Sequence, residues 1–295
     1  MRNYLKIRER QVPYLLVLPA FAAMAVTLFF PLLELLKYST VIWSLGRPQE
    51  DMKFVGLGNF ADILAPGSSF WHSLKLTVLY LVVSVFFQVL LGLVLANLFN
   101  KSFPGQGALV SLLIIPTILM PVMTAMMWRI YFYPNGILNY LLSLVGITGV
   151  DWYSSSMAMP AVIFIQIWQW TPFYVISLLS GLRSIDLSLY EAADVDGASA
   201  WQKYYHITLP LLKPVLGVCI TIRAMNLIRE FDNVFIIYGG GPGSSTEVLG
   251  LSIYRAMFGE QQVGTAAALS VILVVLSCAL CLVLIRFFGN NKQDV

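Results

Sequence analysis

Six stretches of the chain, residues 12–36, 74–99, 108–132, 157–182, 214–237 and 265–288, are long, continuous and mostly apolar. A helix needs about 20 such residues to cross the hydrocarbon core of a bilayer. Lipid offers no water to backbone N–H and C=O groups, so only helices and closed barrels span it. Barrel strands alternate apolar and polar residues; these runs do not, so each is read as a helix. The remainder is too small to clothe a soluble core. Only 11% of residues are charged and 58% are hydrophobic, with a mean hydropathy of +0.78, whereas soluble domains carry roughly 25% charge. The expected fold is an all-α membrane protein with six transmembrane helices.

Lys and Arg set the expected orientation. With the N-terminus in the cytoplasm, the inside segments hold Arg2, Lys6, Arg8, Arg10, Lys101, Arg183, Lys203, Lys213, Arg286 and Lys292. The outside segments hold Lys37, Arg47, Lys53, Lys75, Arg129 and Arg255. The bias is sharpest at the N-terminus, so both termini are expected in the cytoplasm. The first apolar run exceeds a signal-peptide core of about 7–15 residues and is read as a retained span. The chain then divides into a cytoplasmic segment 1–11, a single transmembrane domain 12–288 and a cytoplasmic tail 289–295. Turn residues mark the outer loops: Gly56, Gly58 and Asn59, then Pro134-Asn135-Gly136, then Gly239-Gly240-Gly241-Pro242-Gly243.

Several chemistries are excluded. The net charge of +3 is too small, and the basic residues too scattered, for nucleic acid. Cys219, Cys278 and Cys281 all fall in apolar spans and read as small hydrophobes. No metal-ligand spacing occurs. A phosphate loop needs Gly-x4-Gly-Lys-Ser/Thr, and the chain has none. His72 and His206 lie near span ends and read as interface anchors. The chain is not expected to be an enzyme.

One polar stretch, residues 183–213, interrupts the apolar runs. Ser188 and Glu191 have the spacing of a capping box, and Gly197 can end the helix in a left-handed conformation. Residues 198–206 can form a second short helix, which Pro210 is expected to stop. Two readings fit this pattern: a docking element for a partner, or an amphipathic loop on the headgroups anchored by Trp201, Tyr204 and Tyr205.

Glu191-Ala192-Ala193, Gly197, Ile207, Leu209 and Pro210 match, without a gap, the spacing of the EAA motif. The chain therefore resembles the permease subunits of ATP-binding-cassette (ABC) importers, of type I, MetI-like architecture. Further stretches resemble the carbohydrate-uptake branch, similar to the maltose- and glycerol-phosphate-type permeases. These are residues 54–60, 70–74, Trp128 with 136–139, 240–242, and Phe258 with 266–268. The resemblance implies a multi-pass protein of the bacterial inner membrane. Its implied partners are a second permease, two ATPase subunits that bind ATP and Mg2+, and an extracytoplasmic solute-binding protein. It assigns ATPase coupling to Glu191, Ala192, Ala193, Asp196 and Gly197.

Polar residues inside a span cost about 2.5–3.5 kcal/mol each on insertion scales and mark functional sites by default. The fifth span carries Arg223, Asn226 and Glu230 at i, i+3 and i+7, one helical face. Arg229 points elsewhere. The fourth carries Gln166, Gln169, Trp170 and Phe173 beside Pro172, a kink residue. Amides pair with sugar hydroxyls and rings stack on sugar C–H faces. The resemblance implies that these seven residues line the sugar site. Two roles remain open for Arg223, Arg229 and Glu230: pairing with the partner permease, or lining a cavity, where Arg223 would favour an acidic sugar. Two alternatives also stand: the same fold importing a non-sugar solute, and an ion-coupled secondary transporter.

Overall fold

The computed structural model describes residues 12–147 and 149–289. The basic cluster Arg2, Lys6, Arg8 and Arg10 and nearly all of the expected tail lie outside the described residues. The described chain is helical, with five long apolar helices and one bent pair able to cross a membrane. By contact it forms two compact units. One holds the residues up to Ala65 with Arg255–Ile272, and the other holds Pro66–Tyr254 with the residues from Leu273 on.

In the first unit, α1 (Val12–Ser39) leads into a two-stranded antiparallel ribbon, β1 (Val41–Ile42) on β2 (Lys53–Phe54). Short α2 (Gly58–Leu64) follows. Buried Asn59 donates from Nδ2 to the carbonyls of Ser39 and Val41, both at 2.9 Å, and so ties α2 to the end of α1. Gly264 is needed beside them because a Cβ there would collide with the Val41 carbonyl. The described side chains of α1 from Tyr14 to Leu33 are all exposed.

The second unit is built on α3 (Ser69–Asn100) packed along α7 (Ala158–Arg183). They approach closely at Gly92, where a Cβ would lie 2.5 Å from that of Tyr174. Small residues at such crossings are the common device of membrane helices, whose association rests on packing. Of the five long apolar helices among the described residues α7 is the most enclosed, with 61% of its apolar window buried.

Three expectations are corrected here. The third span is not continuous: α4 (Gln106–Ile118) and α5 (Pro121–Tyr131) meet at 97°. Pro121 has no N–H and disfavours helical backbone in the residue before it; Met120 is extended at φ −61°, ψ 138°. Nor does Pro210 stop the second short helix. α9 (Ala200–Lys203) runs through a π-helical turn (Tyr204–Thr208) into α10 (Leu209–Leu227), giving one helix from Ala200 to Leu227. The π turn lets Leu209 N–H bond Tyr204 O just before Pro210, which occupies the first turn of α10, where a missing donor matters least. Finally, the expected fifth span ends early. The helix stops at Leu227, and α11 (Asp232–Tyr238) is separate.

Two helices outside the expected spans, α6 (Ile137–Leu144) and α12 (Leu249–Tyr254), complete the unit with the later part of α13 (Val263–Gly289). The Gly239–Gly243 stretch is a turn, with Gly239, Gly240 and Gly243 all at positive φ.

Candidate functional site

The polar segment after α7 folds as two short helices. α8 (Leu187–Val195) is capped by Asp186, whose side chain accepts from Ser188 N–H at 3.0 Å. That backbone bond holds the Asp186 carboxyl below its ordinary pKa. This corrects the expected Ser188–Glu191 box; the reciprocal capping box is Ser199–Gln202, at the start of α9. Glu191 is thereby freed from capping and is exposed, as are Ala192, Asp196 and Gly197, while Ala193 is half-buried.

Gly197 adopts φ +75°, the left-handed conformation expected of it. Ala198 N–H bonds Ala193 O at 2.9 Å and Gly197 N–H bonds Asp194 O at 3.1 Å, the paired bonds of a Schellman cap. Across the bend, Lys203 Nζ lies 2.5 Å from Asp194 Oδ1. The Tyr190 hydroxyl lies 2.8 Å from Thr208 Oγ1. The segment is thus an ordered elbow that presents apolar side chains outward, Val195 being 89% and Trp201 69% exposed.

The second constellation lies within the bundle. Gln166 and Gln169 of α7 are 0% exposed and Arg223 of α10 is 1% exposed. Arg223 Nη2 donates to Gln166 Oε1 at 2.9 Å, and its Nε reaches Gln88 Oε1 of α3 at 3.5 Å. Gln88 Nε2 donates to the Gln166 backbone carbonyl at 2.9 Å. The guanidinium carbon sits 4.0 Å from the centre of the Trp170 ring. A charged hydrogen bond contributes about 1.5–3 kcal/mol and a desolvated cation–π contact about 2 kcal/mol. Together, at about 3.5–5 kcal/mol, they outweigh the insertion cost of about 2.5–3.5 kcal/mol. Among the described residues Arg223 makes no contact ion pair, but Glu230 lies within electrostatic range of it.

Gln169 has a different surrounding. Its Nε2 donates to Leu119 O at 3.2 Å, and its backbone carbonyl accepts from Thr117 Oγ1 at 2.7 Å. It supplies a donor where the α4–α5 break leaves a carbonyl without a helical one, as membrane interiors require. Trp170 and Phe173 are half-buried and meet edge to face, their centroids 6.5 Å apart. Asn226 is exposed near the end of α10. Glu230 lies in the break after α10 and accepts from Asn233 Nδ2 at 3.3 Å. Although the regular helix ends before it, Glu230 stays within electrostatic range of Arg223 and beside the Gln166 side chain. Gln88 was missed by sequence reasoning; the signal was an amide in the middle of a strongly apolar span. Among the described residues the Tyr80 and Tyr174 hydroxyls and Gln166 Nε2 are buried without a well-aligned hydrogen bond, though the Gln166 side chain lies beside both Tyr80 and Glu230.

Residues 88–292 match the binding-protein-dependent transport system inner membrane component. The chain belongs to that family. It is 36% identical over 279 residues to a probable ABC transporter permease, y4oQ, of Sinorhizobium fredii, covering 94% of this chain and 90% of that one. It is 34% identical over 283 residues to the trehalose/maltose transport system permease MalF of Thermococcus litoralis, covering 94% of each. Its fold matches a chain of the bacterial alginate ABC transporter, crystallised with an alginate pentasaccharide-bound periplasmic protein. The TM-score is 0.83 at 22% identity, over 99% of each chain. The protein is therefore a multi-pass inner-membrane permease of an ABC importer, which sets aside the ion-coupled secondary transporter. As a permease subunit it is the transport component, and ATP hydrolysis resides in partner subunits.

Proposed function

We propose that this permease imports a sugar or sugar derivative, with residues 12–288 as its transmembrane domain and both termini in the cytoplasm. The observation that carries the substrate class is the Trp170–Phe173 pair, two half-buried rings edge to face on α7. Aromatic faces receive sugar C–H groups. The trehalose/maltose relative and the alginate-transporter fold match support the same class. Trp170, Phe173, Asn226 and Glu230 face the solute, and Gln166, Gln169 and Arg223 hold that face from within the bundle.

The elbow at 183–213 is the cytoplasmic coupling loop. Glu191, Ala192, Ala193, Asp196 and Gly197 meet an ATPase subunit, with Val195 and Trp201 supplying apolar contact. A second permease, two ATPase subunits and an external solute-binding protein complete the importer. Closure of the ATPase pair drives the elbow, and the unbroken helix from Ala200 carries the movement into the bundle. A ligand or nucleotide shifts such an equilibrium only by binding one state better than the other.

The test is co-purification from detergent followed by ATPase assay with sugar-loaded binding protein. Wild type is expected to hold the ATPase subunits and to be stimulated by the cognate sugar. Gly197→Val is the informative variant. No atom lies within 4 Å of a Cβ built there, so packing inside the chain tolerates it. A β-branched residue at φ +75° is strained, however, by upwards of about 1–2 kcal/mol. Gly197→Val should enter the membrane normally and lose the ATPase subunits or their stimulation. Stimulation by a loaded binding protein carrying a peptide or amino acid, and by no sugar, would replace the substrate class.

A further inference from the structure

We propose that Arg223 is a positioning residue, which sets the Trp170 ring against the solute and does not itself contact the solute. This deepens the sugar reading above and rests on it for the role of Trp170.

Glu230 lies within electrostatic range of Arg223, but the groups in contact with the guanidinium are two amides and a ring. Arg223 is 1% exposed, so its charge is not presented to a cavity. Its planar fork is divided between two amide oxygens on two different helices, Gln88 of α3 and Gln166 of α7. Its flat face lies on Trp170, 4.0 Å away. Gln88 in turn grips the backbone of α7 through the Gln166 carbonyl. Three helices therefore meet at one guanidinium, and the indole one turn beyond Gln166 has one face covered by it. Trp170 also meets Phe173 edge to face. An indole so backed keeps one orientation, whereas a half-buried indole with nothing behind it samples several rotamers. Orientation matters because a stacked sugar gains only when the ring face is already in place.

A planar, bidentate donor is what the arrangement uses, and lysine cannot reproduce it. That separates the proposal from its rival, in which Arg223 is a counter-ion for an acidic sugar. A counter-ion is largely restored by lysine; a two-oxygen brace that also covers a ring is not.

The experiment uses the assembled importer in nanodiscs, labelled with 5-fluorotryptophan and observed by fluorine NMR. The chain has seven tryptophans, and the resonance lost in Trp170→Phe identifies Trp170. In wild type that resonance should be single and narrow. In Arg223→Gln and Arg223→Lys it should move or split while most of the others stay. Uptake by both variants should show KM raised about tenfold, with kcat changed less than about twofold, the pattern of a lost binding surface. Should Arg223→Gln fail to reach the membrane, Gln88→Met keeps the arginine and removes one acceptor. Its Trp170 resonance should move the same way by less. A Trp170 resonance that superimposes on wild type in the variants overturns the proposal, as does full recovery of KM in Arg223→Lys. If no sugar is taken up by wild type, the substrate reading fails, while the resonance still reports whether Arg223 sets the ring.

Discussion

At the scale of single residues, several polar side chains inside this membrane protein serve other parts of the chain. Gln169 shows how. An amide in the fourth apolar stretch invites a substrate role, yet its Nε2 donates to Leu119 O, a carbonyl released by the α4–α5 break. A backbone carbonyl in lipid without a donor costs more than a side-chain contact to solute gains, so the backbone takes the amide first. Gln169→Leu should therefore lower stability by about 1–3 kcal/mol, the range for a buried group left unpaired. It should also speed hydrogen exchange around residues 117–121, with little change in solute KM. Thermal unfolding in detergent and exchange mass spectrometry read the two effects. A large KM increase with unchanged exchange would return Gln169 to the solute face.

At the scale of elements, close packing decides which helices can be neighbours. The α3–α7 crossing depends on Gly92, where even a methyl group would stand 2.5 Å from the Tyr174 Cβ. Overpacking of a filled interior costs about 1–3 kcal/mol. Gly92→Ala should lower the melting temperature of the purified subunit by several degrees, and Gly92→Leu should abolish its accumulation in the membrane. Since Gln88 lies one turn before Gly92 on α3, parting the helices there should also disturb the Arg223 brace. An unchanged melting temperature for Gly92→Ala would mean that the crossing is looser than its geometry indicates. The elbow works by a different principle. Asp186, Ser199 and the Gly197 cap satisfy helix ends that would otherwise be open, so the elbow holds its shape before any partner arrives.

At the scale of the whole molecule, the lone chain leaves much apolar surface for other molecules to cover. Apolar side chains of α1, among them Phe21, Phe29 and Phe30, are exposed. So are Val274, Val275, Leu282 and Val283 on α13. Lipid solvates such surface, but helix–helix packing in a bilayer adds dispersion and interhelical bonds that lipid does not. Co-expression with the proposed second permease should raise both the yield and the melting temperature relative to the chain expressed alone. Size-exclusion chromatography with thermal unfolding reads both. Equal stability alone and together would place the permease interface on a minor part of this surface.

Much of this molecule followed from sequence alone. Continuous apolar runs and the small charged fraction required a helical membrane protein, because lipid admits no other arrangement of unpaired backbone. The Glu191-Ala192-Ala193 to Pro210 spacing marked the segment that folds as an elbow, and Gly197 marked its bend, since glycine takes positive φ without strain. What escaped sequence reading were the effects that depend on distant neighbours. Pro121 signals a break, but a break survives in lipid only if something answers its free carbonyls, and Gln169 lies 48 residues after Pro121 in the chain. Likewise, Pro210 stops an isolated helix, while a π turn carries this one onward. Periodicity grouped Arg223 with Glu230 by assuming an unbroken helix; the helix ends at Leu227, yet Glu230 still lies within electrostatic range of Arg223. The partners Arg223 finds are Gln88 and Gln166, 135 and 57 residues earlier. Local chemistry determines which residues enter the membrane and where the chain turns. Tertiary packing decides which polar groups satisfy one another, because a buried charge takes whichever acceptors the neighbouring helices bring within reach.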